Sequence, residues 1–148
     1  MIGIIVSGHA NFASGITSSL ELIAGKQENY EVVNFSEGDS SEDLTRHLKN
    51  AITSLENCDK FIIFTDLMGG SPFKLAVELK YELADTKEIE VISGTNLGMI
   101  IETTMMAKFN DDLDSLINTA LNTGKTQVYK FELPAAKNEE EIDDEDGI

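Results

Sequence analysis

Five short β-rich apolar runs alternate with stretches of helical periodicity along this chain, and no other feature narrows its fold as much. The runs are Ile2–Val6, Glu31–Phe35, Phe61–Phe64, Ile89–Ile92 and Gln127–Phe131. After the first, Ile16, Leu20 and Ile23 recur at helical spacing within Ala13–Gly25. After the second, Ser40-Ser41-Glu42-Asp43 supplies an N-cap and first-turn acids to a helix whose inner face is Leu44, Leu48, Ala51, Ile52 and Leu55. Ser71-Pro72 opens a third helix, with Ala76, Leu79 and Leu83 inward. Leu97–Phe109 reads as a buried, methionine-rich helix, and Leu113, Leu116, Ile117, Ala120 and Leu121 define a last one, closed by Gly124. The order βαβαβαβααβ predicts an α/β fold: a doubly wound, mostly parallel five-stranded sheet with helices on both faces. The third run is apolar on both faces, as a central parallel strand should be. The last alternates polar with apolar and is expected as an antiparallel edge strand.

The 148 residues suit one domain, placed at residues 1–133, with residues 134–148 read as an acidic disordered tail. The formal charge is −16, from 27 acids and 11 bases. Such a surface repels phosphodiester backbones, so a nucleic-acid partner is not expected; it favours encounter with a basic protein. No apolar run approaches the ~20 residues of a membrane span, and no basic region precedes the first strand as in a secretory signal. The one cysteine, Cys58, cannot form an intrachain disulfide. A cytoplasmic location is the expectation these features share.

The chemistry-bearing residues gather at the carboxyl ends of three strands, where open α/β sheets build their sites. The first run breaks at Ser7-Gly8 and presents His9, the side chain most easily tuned near neutral pH. The third ends in Thr65-Asp66-Leu67-Met68-Gly69-Gly70-Ser71-Pro72, and the fourth in Ser93-Gly94-Thr95-Asn96. Asp66 could accept a hydrogen bond from one imidazole nitrogen and leave the other free as nucleophile; an Asx turn is the alternative. Gly69, Gly70 and Ser71 form a glycine-rich helix start whose free N–H groups suit an anion, with Ser71 capping the helix and adding a hydroxyl donor. Thr65 and Asn96 are expected in supporting positions. The lysine of a Walker loop is missing, as is a G-x-G-x-x-G after the first strand, and neither metal nor cofactor is expected. His47, mid-helix beside the apolar stripe, reads as a surface or boundary residue.

Three blocks resemble the motifs of the mannose-family enzyme IIA of the bacterial sugar phosphotransferase system. They are Ile4-Ile5-Val6-Ser7-Gly8-His9, Phe64-Thr65-Asp66-Leu67-Met68-Gly69-Gly70-Ser71-Pro72-Phe73 and Gly94-Thr95-Asn96-Leu97-Gly98-Met99-Ile100-Ile101-Glu102. The resemblance covers residues 1 to about 133. It implies a phosphotransferase in which His9 accepts a phosphoryl group from the histidine-phosphocarrier protein and passes it to an enzyme IIB. The IIB would be a separate polypeptide, and membrane permease subunits would be served only indirectly. It further implies Asp66 as the orienting group, Ser71 beside the phosphate, and a homodimer that exchanges the strand Thr126–Leu133. Two other readings share the histidine: the phosphocarrier subunit of dihydroxyacetone kinase, and a regulatory module that senses phosphorylation without relaying it.

Overall fold

The computed structural model describes residues 1–135. Its elements are β1 (Ile2–His9), α1 (Phe12–Ala24), β2 (Tyr30–Phe35), α2 (Ser41–Ser54), β3 (Lys60–Thr65), α3 (Ser71–Glu82), β4 (Glu88–Ile92), α4 (Leu97–Ala107) and α5 (Leu113–Gln127). The strands form one sheet in the order β2-β1-β3-β4, every neighbouring pair parallel. β1 and β3 are the inner strands, which is why both are apolar on their two faces.

Strand alternation divides the interior into two cores. Ile4, Val6, Ile62 and Phe64 face α1, α4 and α5, where Leu20, Ile100 and Leu116 pack against them. Ile5, Ile63, Phe61 and Ile89 face α2 and α3, meeting Leu44, Leu48, Ala76 and Leu79. All four residues from Phe61 to Phe64 are fully buried, each stabilising the fold by roughly 1.5–3 kcal/mol. Helices thus cover both faces, as the alternation predicts.

Local signals explain where the helices begin. Ser40 caps α2 in a reciprocal capping box: its hydroxyl accepts from the Asp43 amide at 3.1 Å, and the Asp43 carboxylate accepts from the Ser40 amide at 3.0 Å. Asp112 caps α5 by accepting from the Ser115 amide at 3.2 Å. At α3 the expectation needs correcting. Gly70, which has no side chain to cap with, occupies the N-cap position, and Ser71 is the first helical residue.

Two further corrections concern strands. β1 does not break at Ser7-Gly8; it continues to His9 because β2 extends alongside it, pairing Ser7 with Val33, Gly8 with Asn34 and His9 with Phe35. Among the described residues the sheet has four strands rather than five. α5 runs through Gly124 to Gln127, and Gly124 is buried inside the helix, where a Cβ would collide with the methyl end of Met99. Gly124 therefore permits close α4–α5 packing and does not end the helix. Residues 128–135 form no strand, and Val128, Tyr129, Phe131 and Leu133 lie exposed. A strand exists only against a hydrogen-bonding neighbour, and this segment meets neither open edge of its own sheet. Of the segment read as a disordered tail, Pro134 and Ala135 alone are among the described residues; the rest lies outside them.

The Ser7 hydroxyl, fully buried in β1, has no hydrogen-bond partner among the described residues. An unsatisfied buried hydroxyl costs about 1–3 kcal/mol. Ser7→Ala should therefore stabilise the protein, raising Tm by roughly 2–4 °C for a chain of this size. A lower Tm by calorimetry would show that the hydroxyl is satisfied in solution.

Candidate functional site

The sheet order reverses between β1 and β3, and ligands of open α/β sheets bind at such a switch point, beyond the carboxyl ends of the strands. His9 is the last residue of β1, and Asp66 directly follows the last residue of β3. The two are 57 positions apart in sequence yet in contact here. The Asp66 Oδ2 atom accepts from the His9 backbone N–H at 2.8 Å and from His9 Nδ1 at 2.9 Å. Asp66 Oδ1 accepts from the Leu67 amide at 2.8 Å. One carboxylate thus collects three N–H donors.

This arrangement sets both charge and tautomer. Burial works to raise the Asp66 pKa, but the hydrogen bonds from His9 and Leu67 together outweigh it and hold the carboxyl below its usual range. Asp66 therefore stays ionised at neutral pH and keeps a hydrogen on His9 Nδ1, leaving Nε2 with the free lone pair. The Asp66 side chain is 15% exposed and that of His9 45%, so the orienting carboxylate is sheltered while the imidazole is open. A depressed carboxyl pKa contributes stability that is present above the unfolded value of about 3.9 and is lost as pH falls through the folded value. Wild type and Asp66→Asn should thus differ in Tm near neutrality and converge in acid. Parallel melting curves between pH 7 and 2 would refute this if they kept a constant gap.

Two neighbours hold the ring from other sides. The edge of His9 meets Phe35, at the end of β2, with ring centroids 5.9 Å apart and planes at 64°. Gly70 lies against the other side: a Cβ there would stand 2.8 Å from His9 Cε1 and 3.5 Å from Nε2. Only glycine lets the ring lie this close to the head of α3. Gly69 turns the chain with φ +79°, a conformation that favours glycine. The Gly70 amide is already bonded to the Leu67 carbonyl at 3.1 Å. The amides left to meet an anion are those of Ser71 and Phe73, since Pro72 has none.

Thr65 and Asn96 hold the framework and not the imidazole. The Thr65 hydroxyl donates to the Ile92 carbonyl at 3.0 Å. Asn96 caps α4 by accepting from the Met99 amide at 3.1 Å, and its amide group donates to the Gly124 carbonyl of α5 at 2.9 Å. His47 is half-buried on α2, beside a different surface. Phe35 has no signal of this role in its own stretch of sequence, since its contact with His9 follows from the β1–β2 register. Leu67 and Met68, absent from the expected site, are 61% and 77% exposed in the turn after Asp66. Two large apolar residues in an otherwise polar, glycine-rich turn were the available signal.

Among the described residues, no helix is long and apolar enough to cross a membrane. The fold and the strand-end pair define a class: an open parallel α/β domain presenting one imidazole whose second nitrogen is held by a carboxylate. The family model described as EIIA-man, PTS system fructose IIA component, matches residues 3–121. The chain belongs to this family of IIA components of the phosphotransferase system. It is 35% identical to the EIIA component from Streptococcus agalactiae, whose crystal structure superimposes with a TM-score of 0.82 over 88% of this chain and 97% of that one. It is 30% identical to the sorbose-specific EIIA component of Lacticaseibacillus casei, over 70% of this chain and 72% of the relative. The mannose-specific EIIAB component of Escherichia coli K12 is 29% identical over 86% of this chain, which spans only 38% of that longer protein.

Proposed function

We propose that the chain is a phosphocarrier in sugar uptake, with His9 Nε2 as the atom that carries the phosphoryl group. The observation that supports this best is the division of labour on one half-exposed ring: Nδ1 is bonded to an ionised, sheltered carboxylate, while Nε2 has no hydrogen-bond partner among the described residues and lies beside the head of α3. In the proposed step the Nε2 lone pair attacks the phosphorus of a phosphohistidine on the histidine-phosphocarrier protein. The new N–P bond forms as the donor's N–P bond breaks, and the donor imidazole leaves with that electron pair. Nδ1 keeps its proton throughout, and Asp66 balances the positive charge that develops on the imidazole. The Ser71 and Phe73 amides and the Ser71 hydroxyl receive the phosphate oxygens. The reverse geometry then hands the group to an enzyme IIB.

Both partners would dock over the exposed lip of Leu67 and Met68, in the cytoplasm. The same reading includes a homodimer, in which the segment after α5 pairs as an antiparallel fifth strand with the sheet of a second copy. Such pairing would cover the apolar side chains that lie exposed from Val128 to Leu133.

The experiment is intact mass after incubation with phosphoenolpyruvate, the general phosphotransferase enzyme I and the histidine-phosphocarrier protein. One phosphoryl group is expected, lost in acid and kept in base, and absent from His9→Ala. Label on His47, or undiminished label in His9→Ala, would overturn the assignment.

A further inference from the structure

We propose that Thr95 is a positioning residue for the Asp66–His9 pair, acting through a buried hydroxyl clasp that it forms with Thr65. The inference rests on the reading of His9 as the reacting group. Regular pairing fails just where the orienting carboxylate begins: β3 pairs with β4 only as far as Phe64 and Ile92, and with β1 only as far as Thr65 and Ser7. Asp66 stands one residue beyond the last ladder contact with β1 and two beyond the last with β4, so regular pairing alone does not fix it.

The loop after β4 closes this gap. The Thr65 carbonyl accepts from the Thr95 amide at 3.2 Å and from the Thr95 hydroxyl at 2.7 Å. The Thr65 hydroxyl answers by donating to the Ile92 carbonyl at 3.0 Å, and the Asp66 carbonyl accepts from the Gly94 amide at 3.2 Å. The shortest of the four bonds is the one from the Thr95 hydroxyl. Thr65 is fully buried and Thr95 is 8% exposed. Valine has the same shape and would fill either position without desolvating a hydroxyl, so burying two hydroxyls here brings little net stability. What they do bring is geometry. Both lone pairs of the Thr65 carbonyl are occupied, and the peptide that leads into Asp66 is held from two directions. A carboxylate that must meet three N–H donors at once tolerates displacements of only about 0.5 Å. Loss of the Thr95 hydroxyl would leave one lone pair of a buried carbonyl unpaired and free the Thr65–Asp66 peptide to rotate.

The test compares Thr95→Val with Thr95→Ser in the full chain, and uses Thr104→Val as the control. The Thr104 hydroxyl is also buried but bonds only to carbonyls within α4, at Ile100 and Ile101. The first readout is the pair of His9 ring nitrogen shifts at neutral pH, which report the tautomer without any phosphoryl donor. The second is the rate of phosphoryl uptake from the phosphorylated histidine-phosphocarrier protein. Thr95→Val is expected to mix the two tautomers and slow uptake by about 10-fold, since small misplacements of an orienting group act on rate at this scale. Thr95→Ser should restore both, and Thr104→Val should leave both unchanged. If Thr95→Val fails to fold, Thr95→Ala against Thr95→Ser makes the same comparison. Wild-type ring shifts in Thr95→Val or Thr95→Ala, or no recovery in Thr95→Ser, would overturn the proposal. A wild-type protein that takes up no phosphoryl group, with ring shifts still sensitive to Thr95, would sink the carrier reading and leave the positioning role standing.

Discussion

Asp66→Asn is expected to slow phosphoryl transfer through His9 by about 10²-fold while leaving the fold in place. The reason lies in counting donors. The carboxylate accepts from the His9 amide, His9 Nδ1 and the Leu67 amide with its two oxygens. An asparagine has one acceptor oxygen and must point its NH2 group at one side of this set. If the oxygen stays toward His9, the NH2 group faces the Leu67 N–H and the side chain is pushed out of place. If the group turns over, its NH2 donates to Nδ1, the ring's hydrogen moves to Nε2, and the nucleophilic lone pair is gone. Either way the negative charge that would balance the phosphorylated imidazolium is lost as well. Rapid-quench transfer rates decide the matter. A rate equal to wild type would reduce Asp66 to a turn former.

Ending the chain after Gln127 is expected to convert a dimer into a monomer and to cost a substantial part of the stability. Val128, Tyr129, Phe131 and Leu133 are all large and exposed beyond α5. Four large exposed apolar side chains within one short segment are the kind of surface that a partner would cover. A second truncation after Ala136 separates this effect from that of the acidic segment, and it should remain dimeric. Sedimentation velocity at micromolar concentration reads both. Full-length protein that sediments as a monomer would end the strand-exchange proposal. A dimer that survives the Gln127 truncation would move the interface to the helices.

The parts of the fold that were legible in the sequence are those set by local or periodic chemistry. Phe61–Phe64 reads as an inner strand because both faces are apolar, and Ser40 with Asp43 marks a helix start through a bond only three residues long. The placement of His9 and Asp66 at strand ends was also legible, because polar glycine-bearing stretches follow the apolar runs, although β1 runs on to His9 and does not break at Ser7-Gly8. The remainder depends on what lies across space. Val128–Leu133 alternates as a strand does, but alternation specifies a face and not a partner, and the described chain offers none. Gly124 has the local appearance of a helix terminator, yet the approach of Met99 from α4 makes it an interior packing position. Phe35 reaches His9 only through the β1–β2 register, and Thr95 reaches Thr65 only because the loop after β4 folds back over the end of β3. None of these contacts has a signature in its own stretch of sequence.

Under the proposed phosphocarrier role, the openness of the His9 ring would give the protein a clock. A ring that a donor and an acceptor would both have to reach is also within reach of water, since almost half of that side chain is uncovered. A phosphoryl group held there would be stored energy with a lifetime, and each encounter with an acceptor would race against spontaneous hydrolysis. The yield of the relay is then a ratio of two rates, governed by how many acceptor molecules surround the carrier as much as by the chemistry at Nε2. When acceptors are scarce, such a protein becomes a slow drain on the phosphoryl donor, and the leak should scale with how long each charged molecule waits.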